Sequence, residues 1–296
     1  MSSTVLWIKD FRVFSTPYLD AAGLVALADL KTIAIRTALT GTSTYLDMFV
    51  ICPGIHLQQN APELNGGELP QVASMGSGFV FRIENPGTVA YLQRVGRTGH
   101  LINVQVSVRG DEEAESMWRW IWSAWWTSTS SFVSSACYLT AILLTIFTGW
   151  KGYKEPGVQG DMLVLLSQDR WIRMKGLNDD LKLVTSGQWL RDMVFWEQSI
   201  ASASTLLVYL DAALASNATQ LGKTVLLCLL FASVGLLAVS NECLMAMEMF
   251  GATLKVVGED KPDGFERRME MVEYLVDKTK KHEWAIRAGL MHAKSD

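Results

Sequence analysis

Charge is scarce in this 296-residue chain, in which Asp, Glu, Lys and Arg make up 19% of the residues. Soluble domains average about 25%. Basic residues form no block, because 26 Lys and Arg stand against 30 Asp and Glu. The sequence therefore lacks the positive surface by which proteins bind nucleic acid. Hydrophobic residues make up 49%, a share that excludes disordered and collagen-like chains.

Motifs of the common catalytic and cofactor sites are missing as well. The chain has no GxxxxGK[ST] phosphate loop, no GxSxG nucleophile elbow and no HExxH zinc motif. Its cysteines are far apart, which excludes a CxxC metal or redox site and argues against a disulfide framework. They are Cys52, Cys137, Cys228 and Cys243. We therefore predict neither a metal site nor a cofactor.

The few charges are distributed unevenly, and residues 118–150 contain a single one, Arg119. The uncharged run from Trp120 to Trp150 is 31 residues long, whereas a membrane-spanning helix needs about 20. Tryptophans collect at the level of the lipid headgroups, and they stand at both ends of this run. We predict a transmembrane helix with a Trp-rich entry here. Its interface anchors are Trp118, Trp122, Trp125, Trp126 and Trp150.

A second charge-poor segment, residues 192–243, favours a pair of helices. Residues 224–241 are uncharged, and residues 194–215 are apolar apart from two acidic side chains. The short polar link between them and the absence of proline from 157 to 261 predict a transmembrane hairpin of helices at about 194–215 and 223–243.

Positive charges predict the topology. The loop at 151–191 has seven Lys and Arg, and the tail at 244–296 has nine, so the positive-inside rule puts both in the cytoplasm. Three spans then leave the N-terminus outside. A fourth segment near 37–55 would bring it inside, and the sequence leaves this alternative open. Asn217 begins a glycosylation sequon on the predicted outer side.

The two flanking regions have ordinary charge content. For residues 1–117 we predict a mixed α+β, membrane-associated domain. The segments GFVFRI, TVAYLQRV and HLINVQVSV within residues 78–109 predict a small antiparallel sheet, with a hairpin turn at residues 96–99. The tail predicts an amphipathic helix that packs on its own chain, because apolar residues recur at helical spacing. They are Phe265, Met269, Val272 and Val276.

Two acidic residues of the predicted hairpin are the candidate site. Glu197 and Asp211 are 14 residues apart, which places them about 40° apart on one helix face. An ionisable group inside a bilayer is costly and indicates function by default. The alternative is that both reach the headgroups or pair with Lys223 or Arg191.

The segments 37–55, 189–198 and 207–217 resemble uncharacterised multi-pass membrane proteins of filamentous fungi. Among their residues are the strings WLRDMVFWEQ and LVYLDAALASN. The resemblance implies an endomembrane or plasma-membrane setting and no particular activity.

The sequence as a whole predicts an α-helical integral membrane protein with about three transmembrane helices. We expect an interaction or assembly component, without enzymatic activity, whose partners are the lipid bilayer and a second copy or another membrane protein. The alternative is a membrane-embedded enzyme or carrier for a lipophilic small molecule, with Asp211 and Glu197 in its cavity.

Overall fold

The computed structural model describes residues 30–40, 62–108, 152–186, 219–249 and 251–292, together with scattered residues between 194 and 206. These residues form seven strands, six α-helices and one 3-10 turn at Pro62–Asn65. The strands are β1 (Gln71–Ser74), β2 (Val80–Arg82), β3 (Leu101–Val108), β4 (Gln159–Leu166), β5 (Arg170–Leu177), β6 (Ala246–Met249) and β7 (Ala252–Glu259). The helices are α1 (Leu30–Thr40), α2 (Pro86–Val95), α3 (Asn178–Ser186), α4 (Gln220–Cys243), α5 (Arg268–Thr279) and α6 (Glu283–Arg287).

All seven strands belong to one mixed sheet with the order β2-β1-β4-β5-β3-β7-β6. The central pair, β3 and β5, is parallel, and the other pairs are antiparallel. Parallel pairing requires a crossover between the two strands, and the chain between β3 and β5 includes β4. The sheet therefore depends on contacts between segments that are distant in sequence.

Alternation along the central strands supplies both faces of the sheet with apolar side chains. Ile102, Val164 and Ile172 point to a large core beneath α1, α2 and α3. Their chain neighbours Leu101, Leu163 and Trp171 point to a smaller core beneath α5 and α6. The fold thus has three layers, with helices on both faces of the sheet.

Helix α2 replaces a predicted strand. The segment TVAYLQRV is helical because Asn85 caps its first turn, accepting hydrogen bonds from the N–H groups of Gly87 at 3.0 Å and Thr88 at 3.1 Å. Pro86 occupies the first turn, where its missing N–H costs nothing. The prediction of a hairpin at residues 96–99 is wrong, since these residues join a helix to β3. The expected three-strand antiparallel sheet is wrong too, because β2 pairs with β1 and not with β3.

Strand pairing overturns the predicted three-span topology. Strand β3 comes from the N-terminal region, β5 from the 151–191 loop and β7 from the tail, and β3 lies between the other two with hydrogen bonds to both. Three spans would separate β3 from β5 and β7 by a bilayer. Within the described ranges, no helix qualifies as a candidate membrane span. The predicted integral membrane fold and the membrane localisation that followed from it are therefore wrong.

Helix α4 contains the second uncharged run, residues 224–241. Its C-terminal part packs on its own chain, with Leu237 and Asn241 buried. Arg36 of α1 donates to Ser240 Oγ at 3.0 Å, and Asn241 Nδ2 donates to the carbonyl of Thr32 at 2.9 Å. The run ends in polar contacts that tie α4 to α1. The predicted first span at 118–150 lies outside the described residues, as does the fourth segment beyond α1.

The tail contains helix α5, as predicted, and this helix packs on its own chain. Its buried residues are Met271, Val272 and Leu275, whereas Met269 of the predicted stripe is largely exposed. Strands β6 and β7 precede it, and the sequence did not predict either of them. The tail thus completes the sheet and covers its second face.

Candidate functional site

A network of polar side chains lies on the second face of the sheet, next to α5. We call it the Arg173 network. Strands β3, β4 and β5 each supply one member, Asp260 follows β7, and α5 supplies two. Its members are Asn103, Asp161, Arg173, Asp260, Tyr274 and Lys278.

Arg173 is the centre of this network, and only 6% of its side chain is exposed. Its Nε lies 2.9 Å from Asp161 Oδ1, and its Nη2 lies 2.5 Å from Asp161 Oδ2. This two-pronged pairing is the strongest geometry for an arginine and a carboxylate. The remaining Nη1 lies 3.8 Å from Asp260 Oδ2. One buried cation therefore faces two carboxylates.

Asp260 is the second buried charge, and two donors satisfy its other oxygen. Its Oδ1 accepts from Lys278 Nζ at 2.7 Å and from Asn103 Nδ2 at 2.8 Å. Burial alone would raise the pKa of Asp260, but these hydrogen bonds and the charges of Lys278 and Arg173 outweigh burial and lower its pKa. The same ion pair raises the pKa of Lys278. Asp260 is therefore held ionised.

The network stabilises the fold and offers no chemistry of its own. Two cations and two carboxylates compensate one another. Within the described part of the chain, no group of three or more His, Cys, Asp or Glu side chains could hold a metal ion. We find no nucleophile paired with a base in the Arg173 network. We assign it a structural role.

A shallow cleft beside α5 and α6 is the second candidate among the described residues. Its volume is about 260 Å³, below the roughly 300–1,000 Å³ of sites that enclose a small molecule. Two of its charged groups, Lys280 and Asp277, pair with each other at 2.5 Å. It is lined by Glu273, Val276, Asp277, Lys280, His282 and Met291. This cleft is too small and too open to enclose a substrate.

We expect stability to fall in acid because the folded state lowers the pKa of Asp260. A lowered pKa contributes stability that is present above the ordinary pKa of the group and is lost as the pH falls through the folded-state value. The free energy of unfolding should therefore decrease from about pH 5 downward, as measured by urea denaturation at several pH values. Asp260→Asn should flatten this decrease. Asp263→Asn, an exposed aspartate in the same connection, should leave it unchanged, and equal slopes for both variants would contradict the assignment.

The third candidate is a surface on α4, which we call the outer stripe. Its residues follow one another at alternating steps of four and three, and all are exposed. They are Leu221, Val225, Cys228, Ala232, Gly235, Val239 and Glu242. The opposite side of the helix carries the buried Lys223, Leu237 and Asn241. A step pattern of four and three over three heptads is the spacing by which one helix packs along another.

Side-chain size varies along the outer stripe. Large apolar residues lie towards its ends, and Leu221 is 77% exposed. The middle is small, with Cys228, Ala232 and Gly235, and a Cβ added at Gly235 would meet none of the described residues within 4 Å. Two further large side chains flank the stripe, since Phe231 is 59% and Leu236 is 63% exposed. The outer side of α4 is therefore an apolar surface with room for a neighbouring backbone.

The site residues predicted from the sequence lie outside the described residues. These are the acidic pair Glu197 and Asp211, the sequon residue Asn217 and the anchors Trp118, Trp122, Trp125, Trp126 and Trp150. Their assignment stays a prediction. Cys228 and Cys243 are exposed and free.

The outer stripe was not among the sites predicted from the sequence. Its signal was the four-and-three spacing of residues 221–242, which was hidden because residues 224–241 are all uncharged, on every side of the helix. Comparisons with protein-family models, with curated proteins and with solved structures found no match. The resemblance to fungal membrane proteins thus stays an expectation.

Proposed function

We propose that this protein is an assembly component that associates with a second copy of itself through the outer stripe of α4. The observation that carries the proposal is the run of exposed residues at heptad spacing from Leu221 to Glu242. Contiguous apolar surface on a monomer marks an interaction site. The spacing selects a helix as the occupant, because the side chains of a heptad stripe interlock with those of a facing helix.

A second copy is the partner that fits this stripe. A two-fold axis places the same stripe on both sides of the contact, so each favourable contact is made twice. The 24 residues of α4 make a helix about 36 Å long, so the contact can extend over three heptads. Gly235 supports the same conclusion, since an exposed glycine inside a helix costs about 1 kcal/mol relative to alanine, and the space beside it holds no described atom within 4 Å of an added Cβ. A close helix–helix contact would use it.

Glutamates placed on the stripe should abolish the assembly. Val225→Glu with Val239→Glu would bury charges against an apolar partner, which should weaken association by about 100-fold or more. Light scattering on a sizing column, with the full chain, should show a dimer for the natural sequence and a monomer for the double variant. Val257→Glu is the matched control, because this valine is exposed on β7, away from the stripe, and the variant should remain dimeric.

Two results would overturn the proposal. One is a natural chain that is monomeric at all accessible concentrations, as it would be if another segment of the same chain covered α4. The other is a double variant that keeps the mass of the dimer while the circular dichroism spectrum stays native.

A further inference from the structure

We infer that the two α4 helices pair antiparallel, with the two-fold axis passing beside Ala232. This inference rests on the proposed function and adds the orientation of the partner. In this register Val225 faces Val239 of the second copy, and Ala232 faces Ala232. Cys228 faces Gly235 and Leu221 faces Glu242 with an offset of one residue, about 1.5 Å along the helix axis. Every position of the outer stripe thereby has a counterpart.

Charge favours this orientation. Glu242 is the charged residue of the outer stripe, it lies in the last turn of α4, and its side chain is 85% exposed. A parallel pair would place two Glu242 carboxylates side by side. An antiparallel pair places each of them beside the partner's first turn, where the positive end of the helix dipole favours an anion.

The contact between Glu242 and its own chain does not remove this preference. Arg94 Nη2 lies 3.4 Å from the Glu242 carboxylate, an exposed pair of the kind that contributes little. The same guanidinium already donates to the carbonyls of Asn241 at 2.6 Å and Glu242 at 2.8 Å. Arg94 therefore mainly caps the C-terminus of α4, and the carboxylate can still respond to a partner.

Side-chain size points the same way. In a parallel pair Gly235 would face Gly235 and leave a gap, while Cys228 would face Cys228 one heptad away. The antiparallel register places the larger Cys228 against the smaller Gly235 on both sides of the axis. Alternating large and small residues across a contact fills the space evenly. Packing is therefore more uniform when the helices are antiparallel.

Disulfide trapping tests the orientation. Three variants of the full chain are compared, and all of them replace Cys52, Cys137 and Cys243 with serine. The first keeps Cys228 as its single cysteine, and the second adds Gly235→Cys to it. The third combines Gly235→Cys with Cys228→Ser, so that position 235 holds its single cysteine. Since a Cβ at Gly235 lies more than 4 Å from every described neighbour, this substitution should be tolerated. A disulfide forms only when the two Cα atoms approach to about 4.4–6.8 Å. Under mild oxidation with copper phenanthroline, we expect covalent dimer from the chain with both cysteines and little from either single-cysteine chain.

The outcomes separate the orientation from the proposed function. Covalent dimer from each single-cysteine chain would overturn the antiparallel register and leave the assembly intact. A monomeric mass for the natural chain would overturn both. If the serine background fails to fold, the disulfides of Gly235→Cys can be mapped by mass spectrometry in the natural background, where a linkage between positions 228 and 235 supports the inference and a linkage between two copies of position 235 overturns it.

A substitution at Glu242 gives an independent test. Glu242→Gln removes the charge and keeps the shape, so the dimer should dissociate several-fold more readily if each carboxylate lies beside the partner's first turn. A tighter dimer would overturn the inference, because relief of repulsion is the result that a parallel pair predicts. Glu248→Gln, on strand β6, is the matched control and should leave the dissociation constant unchanged.

Discussion

Arg173→Ala is expected to lower the free energy of unfolding by about 3–5 kcal/mol, the usual cost of removing one partner from a buried ion pair. The guanidinium holds Asp161 in a two-pronged contact and faces Asp260 at 3.8 Å. Without it, Lys278 is the one cationic partner that the buried Asp260 keeps among the described residues, and Asp161 loses its own. The large effect comes from the carboxylates left behind in a poorly hydrated position.

Urea denaturation followed by circular dichroism would measure this loss. Arg268→Ala is the matched control, because Arg268 pairs with Asp169 at 3.1 Å with about half of each side chain exposed. Exposed pairs contribute about 0–1 kcal/mol. If the two variants lose similar amounts of stability, the network does not have the structural role that we assign to it.

A double variant separates the ion pair from the packing of the arginine stem. If unpaired charge dominates, Arg173→Ala combined with Asp260→Asn should cost clearly less than the sum of the two single changes, since residues in one network are coupled by about 0.5–3 kcal/mol. Additive losses would show instead that the aliphatic part of Arg173 matters most.

Strand β3 shows what the sequence could predict. Its alternation of Val104 and Val106 with Gln105 and Ser107 was visible in a single segment, and the structure buries the two valines while exposing the polar residues between them. The partners of β3 could not be predicted in this way. Strands β5 and β7 are distant in sequence, and register follows from which faces are buried in the complete sheet.

The errors at α2 and in the 151–191 loop have a common cause. Both segments were interpreted from local composition. The structure of α2 is decided by the helix cap at Asn85, and that of the loop is decided by strand pairing within the sheet. Asn85 followed by Pro86 is a helix start, and it outweighs the β-branched residues behind it. The loop contains MLVLL and WIRM, which become β4 and β5 once the sheet supplies partners on both sides.

The sequence contained only a weak indication of the Arg173 network. An arginine between Ile172 and Met174 is a charge within an apolar strand, and such a residue needs a partner when it is buried. Its partner Asp161 lies 12 positions before it in the chain, and its partner Asp260 lies 87 positions after it. Since long-range pairing brings them together, no spacing rule could have named them.

Trp171→Ala is the second change expected to have a large effect, with a loss of about 3–5 kcal/mol for a fully buried aromatic residue. Trp171 is 1% exposed on the central strand β5 and belongs to the smaller core. Its ring meets Phe265 edge-on at 6.2 Å between centroids, and Phe265 in turn lies 5.4 Å from Tyr274 of α5. The indole N–H has no hydrogen-bond partner among the described residues, so the loss is one of packing.

The position of Trp171 also predicts which part of the fold loosens first. The smaller core attaches α5 and α6 to the sheet, so amide hydrogen exchange should accelerate in these two helices more than in α2 or α3, which pack on the other face. Trp196→Ala provides the control, because this tryptophan is 52% exposed, and surface changes usually stay within about 0.5 kcal/mol. Equal losses for the two variants, or exchange that accelerates uniformly, would mean that the second face of the sheet does not depend on this side chain. Exchange that accelerates in α5 and α6 alone would identify the smaller core as a separate cooperative unit. That unit would open while the larger core keeps the sheet folded.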